Sequence, residues 1–224
     1  GFIIVPILLL FYNFEPKDAV GTSLTIVFLN SLSGSLAYIK QKRVDFKIGF
    51  LFALLTIPGS FLGAYIVNYI KSNFFKVIFS MTLIILSFQL IFKPLMQEKV
   101  FELRKNKGVY RRIIDFKGNV YEYSIDLIKG LLINFFTGFF SSIFGVGGGI
   151  IHVPTMILLL GFPTHIATAT SHFILVFTSL AGALTHVSLS NVNLNFAIPI
   201  GLGVIIGAQF GALISRKLKG KFIK

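Results

Sequence analysis

Apolar residues in this chain gather in long runs with almost no charge. The clearest are residues 20–38, 48–70, 74–92, 131–144 and 171–187. A helix rises about 1.5 Å per residue, so about 20 apolar residues cross roughly 30 Å of hydrocarbon. Several runs reach that length and others approach it. Backbone polar groups inside lipid must be satisfied within the chain, so such runs are helices. The pattern predicts an all-α, polytopic bundle of transmembrane helices.

The runs repeat. Sliding the chain by 148 positions lays residues 1–66 on 149–214 without a gap. Identities include Gly1/Gly149, Pro6/Pro154, Ala19/Ala167, Thr22/Thr170, Ser23/Ser171, Gly34/Gly182, Gly59/Gly207 and Gly63/Gly211. About a third of the aligned positions are identical. Chance likeness between apolar helices would match Leu with Ile; it would not hold Pro, Gly and Thr-Ser in register. Self-similarity at a fixed period is the mark of a duplicated unit. By the same alignment, residues 128–148 lack a partner before Gly1 and residues 74–92 lack one after Lys224. The expectation is one further membrane segment at each end.

Residues 126–160 would measure roughly 50 Å as one helix, too long for an ordinary span. Gly145, Gly147, Gly148 and Gly149 interrupt them, and Pro154 follows. Gly and Pro release the backbone from helical geometry, so two helical pieces joined by a break are expected, the second a half-helix or short span. The basic stretches are residues 40–47, 93–129 and 216–224. If the break turns the chain back, all three fall on one side, as the positive-inside rule prefers. Each unit then has an odd number of elements, which makes the two repeats inverted in topology, with Gly/Pro-broken helices near the midplane as in many secondary transporters. Between them, residues 109–115 and 120–125 alternate around Lys117-Gly118-Asn119 and predict a small cytoplasmic β-hairpin. The expected domains are a first membrane repeat (1–92), a connector (93–127) and a second membrane repeat (128–224).

Composition narrows the chemistry. Charged residues are 13% of the chain, about half the share in soluble domains. The net charge of +13 sits at span edges and in loops, as anchoring at a cytoplasmic face requires, and nucleic acid is not the expected partner. With no cysteine there are no disulfides or thiolate metal sites. Tyr12, Tyr38, Tyr65 and Tyr69 lie near run ends, at headgroup level. Every carboxylate lies outside a span or at its edge, which argues against a cation carrier. No HExxH, GxSxG or P-loop pattern occurs, so no catalytic site, cofactor or metal is expected.

The spans instead hold hydroxyls, amides, Gly breaks and histidines. Helix N-termini with free N–H groups suit an anion without buried Lys or Arg. Thr22-Ser23 and Thr170-Ser171 are either donors to a substrate oxyanion or helix-pairing hydroxyls. His172, next to Thr170-Ser171, is either a proton-coupling group or a satisfied interhelical hydrogen bond. Asn30 and Gln209 are equally two-sided. His165 and His186 lie near loops and read as structural. Gly59-x-x-x-Gly63 and Gly207-x-x-x-Gly211 are expected to let helices approach closely.

The run Gly138-Phe-Phe-Ser-Ser-Ile-Phe-Gly145-Val-Gly147-Gly148-Gly149-Ile-Ile-His-Val-Pro154, followed by Ala167-Thr-Ala-Thr-Ser171, resembles the TauE/SafE family of sulfite and organosulfur-anion exporters. Gly1-Phe-Ile-Ile-Val-Pro6 and Ala19-Val-Gly-Thr-Ser23 look like the same signature in the first copy. The resemblance implies a multi-pass carrier in the plasma membrane of a bacterium or archaeon, surrounded by lipid and moving sulfite, a sulfonate or a similar small anion. A homo-oligomer is open. The substrate site expected from these readings comprises Gly147, Gly148, Gly149, Pro154, Thr170, Ser171 and His172, with Pro6, Thr22 and Ser23 opposite. The competing reading is a non-transporting membrane subunit or assembly factor using the connector as its interaction surface.

Overall fold

The computed structural model describes residues 1–102 and 108–217. Among them are eight α-helices and one hairpin: α1 (Ile4–Phe11), α2 (Pro16–Lys40), α3 (Phe46–Ile66), α4 (Ser72–Glu102), β1 (Val109–Ile114), β2 (Val120–Ile125), α5 (Leu127–Phe144), α6 (Gly149–Leu158), α7 (Thr164–Ser188) and α8 (Leu194–Lys217). Five helices are long and apolar enough to cross a membrane: α2, α3 with the 3₁₀ turn after it, α5, α7 and α8. The protein is a multi-pass helical membrane protein.

Helix starts follow local chemistry. Pro16 opens α2, where its missing N–H costs nothing. Asp45 caps α3 by accepting from Ile48 N–H, and Asp126 caps α5 by accepting from Lys129 N–H. α4 continues past Phe92 to Glu102, so the first ten connector residues are helical rather than loop. Charge marks where a span leaves lipid; it does not end a helix built of good helix formers such as Leu, Met, Gln, Glu and Lys. Residues 103–107 and 218–224, the latter most of the third basic stretch, lie outside the described residues.

The duplication appears turn by turn. α2 and α7 start and stop exactly one 148-residue shift apart, as do the starts of α3 and α8. Equivalent turn residues share positive φ: Asn13 (53°) with Gly161 (75°), and Lys42 (54°) with Ser190 (57°). Phe14 N–H donates to Leu8 O, and Phe162 N–H to the equivalent Met156 O.

α2 and α7 form the centre, each with 67% of its most apolar window buried, against 17% for α8. They meet where Ser31 and its equivalent Ser179 share a hydrogen bond (3.3 Å). α3 packs on α7 and α5, while α8 packs on α2. Gly59 and Gly63 bring α3 onto α5 so closely that a Cβ on either would lie 2.3 Å from the Phe135 or Phe139 carbonyl oxygen. The second copy differs: a Cβ on Gly207 or Gly211 meets nothing within 4 Å, so the close approach expected there is not made among the described residues. Gly63→Ala should therefore cost about 1–3 kcal/mol through overpacking. Gly211→Ala should leave the melting temperature unchanged or slightly raised, because Ala favours a helix by about 1 kcal/mol. Equal melting shifts for the two would contradict this packing.

Candidate functional site

The interruption between α5 and α6 uses three left-handed residues, Gly145 (φ 64°), Gly147 (71°) and Gly148 (70°). An L side chain in this region costs about 1–2 kcal/mol, so glycine is what permits the turn. α5 leaves directly from the hairpin at Ile125. After α6, Phe162 packs against Tyr123 of the hairpin with ring centroids 4.8 Å apart. Both ends of the α5–α6 pair therefore lie at the hairpin end of the bundle, and the break is a turn back.

The tip reaches the middle of the two central helices. A Cβ on Gly147 would lie 2.2 Å from Val27 of α2, and one on Gly149 would lie 3.3 Å from Leu175 of α7. Val27 and Leu175 are equivalent positions, each near the midpoint of a 25-residue helix. Gly1, just before α1, sits against the Gly145 carbonyl and Val146, so the start of α1 adjoins the break. Pro6 and Pro154 lie inside these two short helices. Each lacks the N–H that would bond the carbonyl four residues earlier.

The Thr-Ser pairs make reciprocal contacts. Asp45 N–H donates to Thr170 Oγ1 (3.0 Å), and the equivalent Asn193 N–H donates to Thr22 Oγ1 (3.0 Å). Each threonine thus receives the start of a helix from the other repeat, α3 for Thr170 and α8 for Thr22. The Ser23 hydroxyl donates to the Gly145 carbonyl oxygen at 2.7 Å, tying α2 to the break. Ser171 donates within its own helix to Thr168 O (3.0 Å). His172 turns away from the break: its Nδ1 lies 3.1 Å from Thr168 O, and its ring packs against Gly34 and edge-on to Tyr38 (5.3 Å). Tyr38 is accordingly buried within the bundle. Gln209 Nε2 donates to Ser33 O (2.8 Å), joining α8 to α2.

Two polar side chains at the break were not among the residues expected to form the site. Ser141 Oγ and His152 Nε2 are buried without a hydrogen-bond partner. No spacing rule singles them out, because what distinguishes them is an unmet hydrogen bond in three dimensions. No three His, Asp or Glu residues gather as a metal set among the described residues.

The bundle's two ends differ. At one, a cavity of about 630 Å³ is bounded by residues 13–15, 18 and 190–195, including Glu15, Asp18, Asn191 and Asn193. Among the equivalent positions at the other end, 161–166 and 42–47, the hairpin contacts Arg43, Asp45, Phe162 and His165. There the Asp45 carboxylate accepts two hydrogen bonds from Arg111 (2.7 and 2.8 Å) and one from the Tyr123 hydroxyl (2.8 Å). Arg43 pairs with Asp115 (3.5 Å) in full burial, and Phe116 N–H donates to Gln41 O (3.2 Å). Gln41 Nε2 in turn donates to Ala212 O (3.1 Å), so α8 also ends here. Burial pushes the Asp45 carboxyl up, but the bonds from Arg111, Tyr123 and Ile48 N–H outweigh it and hold it below its ordinary value. Burial, then the Asp45 charge, pushes the Tyr123 hydroxyl up. In the second repeat Asn191 and Asn193 replace Arg43 and Asp45, so no equivalent ion pair forms.

A family model described as Sulfite exporter TauE/SafE matches residues 1–224. A protein of Bacillus subtilis named Probable membrane transporter protein YunE is 38% identical over the whole of this chain and 83% of its own length. A probable membrane transporter protein of Methanocaldococcus jannaschii is 26% identical over the whole chain and 81% of its own length. One of Escherichia coli, named YfcA, is 22% identical over the whole chain and 76% of its own length. No solved structure matches the chain.

Proposed function

Because the chain belongs to the sulfite exporter TauE/SafE family, we propose that this membrane transporter is a secondary carrier of a small anion, sulfite or an organosulfonate, in the plasma membrane of a bacterium or archaeon. The observation that carries this reading is the glycine break at mid-bundle, where the N-terminus of α6 meets both central helices. Free N–H groups and a partial positive charge suit an anion there without a buried cation. Gly147, Gly148 and Gly149 would approach the substrate, with Pro154 and Pro6 shaping the short helices behind them. Thr22-Ser23 and Thr170-Ser171 would line the two routes to it, and His172 would couple a proton when the helices rearrange.

We further infer that the membrane units 1–92 and 128–224 are inverted repeats joined by a cytoplasmic connector. The reciprocal contacts of Thr22 and Thr170 support this, since one borders the cavity and the other the hairpin. Lys40, Lys42, Arg43, Lys47, Arg112 and Lys117 gather at the hairpin end, which the positive-inside rule makes cytoplasmic. The carrier is then open outward through the cavity, with the hairpin closing the inward route. The hairpin's Arg111, Asp115 and Tyr123 bind this chain's own loop, which leaves the non-transporting reading without a specific observation in its favour.

Purified protein in proteoliposomes should move labelled sulfite saturably and in competition with sulfonates. Liposomes showing no flux of sulfite or any sulfonate, under either a proton or a sodium gradient, would overturn the reading.

A further inference from the structure

We propose that Ser141 and His152 form, with the first N–H groups of α6, a donor pocket for one oxygen of a bound oxyanion; this rests on the anion-carrier reading above. Both side chains are essentially inaccessible, at 0% and 1% exposure, and both end in a polar atom with no partner. A buried hydroxyl or imidazole nitrogen left unpaired is destabilising, so a group that pairs it is stabilising. The two approach the same place. A Cβ on Gly148 would lie 3.0 Å from Ser141 Oγ and 2.9 Å from the His152 ring carbon next to Nε2. The two side chains are thus under about 6 Å apart, close enough for one oxygen atom to bridge them.

The backbone adds to them. The first intrahelical bonds of α6 run from Ile151 and His152 N–H to Gly148 O, so the N–H groups of Gly149 and Ile150 precede the ladder. The hydroxyl and helix N-terminus donate, the imidazole donates in the tautomer with its proton on Nε2, and no carboxylate stands among them. A pocket of donors selects a deprotonated oxyanion over a neutral acid or a cation. The neighbouring Ser142 is different: its hydroxyl lies 2.6 Å from Ser60 Oγ, so it is already occupied.

Titration calorimetry of the detergent-purified full chain with sodium sulfite tests the assignment. Ser141→Ala and His152→Gln should each weaken binding about tenfold or more, while Ser142→Ala binds like the wild type. Independently of folding in the variants, wild-type protein labelled with ¹⁵N-histidine should show a sulfite-dependent shift at His152 and not at His165. Sulfite binding unchanged in both variants, with no shift at His152, would overturn this pocket while leaving the carrier reading intact; the two atoms would then hold water only. If the wild type bound neither sulfite nor a sulfonate, both would fall.

Discussion

Replacing Gly147 with alanine should cost about 3 kcal/mol or more of stability. Two separate terms contribute. The left-handed backbone at φ 71° is disfavoured for any L side chain by about 1–2 kcal/mol. The new methyl would also lie 2.2 Å from Val27 Cγ1, and overpacking of this kind costs about 1–3 kcal/mol. Val is stiff at χ1, so Val27 cannot rotate aside. Against a total of about 5–15 kcal/mol, the loss is a large fraction of what holds the fold. A double-mutant cycle separates the terms: Val27→Ala relieves most of the clash but not the backbone strain. Gly147→Ala with Val27→Ala should therefore be more stable than the sum of the single losses predicts, by about 1–2 kcal/mol. A Gly147→Ala protein that melts with the wild type would show that the break does not have this geometry.

Asp45→Ala should be nearly as damaging, by about 3 kcal/mol. It strands the Arg111 guanidinium and the Tyr123 hydroxyl, and breaking a buried pair by removing one partner costs about 3–5 kcal/mol. The Arg111 side chain retains 22% exposure, which places the loss at the lower end. Acid should mimic the substitution. The native carboxyl lies below its ordinary 3.8, so its stabilisation is complete above that value and is lost as pH falls through the lower native one. Hydrogen-exchange protection factors at β1 and β2, corrected for the intrinsic pH dependence of amide exchange, should be flat from neutral to about pH 5 and fall below about pH 4. Asp45→Ala should accelerate exchange there at neutral pH, and Asp45→Ala with Arg111→Ala should recover part of the protection. Hairpin amides that stay protected in Asp45→Ala would mean the ion pair does not hold the hairpin down.

The same residues show what could be read in advance. The duplication, the hairpin and the two-piece segment around Gly145–149 were legible because hydropathy, register and glycine content are local properties. Even the turn back could be anticipated, from the side on which the basic residues fall. Three things were hidden. The connector's charge suggested a loop where α4 continues as a helix to Glu102. The paired GxxxG motifs looked alike, yet only Gly59 and Gly63 have a neighbour close enough to need them. Ser141 and His152 carry no spacing signal, since an unpaired buried atom is defined by everything around it. His172, adjacent to Thr170-Ser171 in sequence, packs against Gly34 and Tyr38.

The central claim is that the glycine break at mid-bundle binds the transported anion. It is tested most directly by a structure of the full chain determined in saturating sodium sulfite. The account predicts anion density against the N–H groups of Gly149 and Ile150, between Val27 and Leu175. Density confined to the cavity beside Asn191 and Asn193, with the break packed as before, would contradict it.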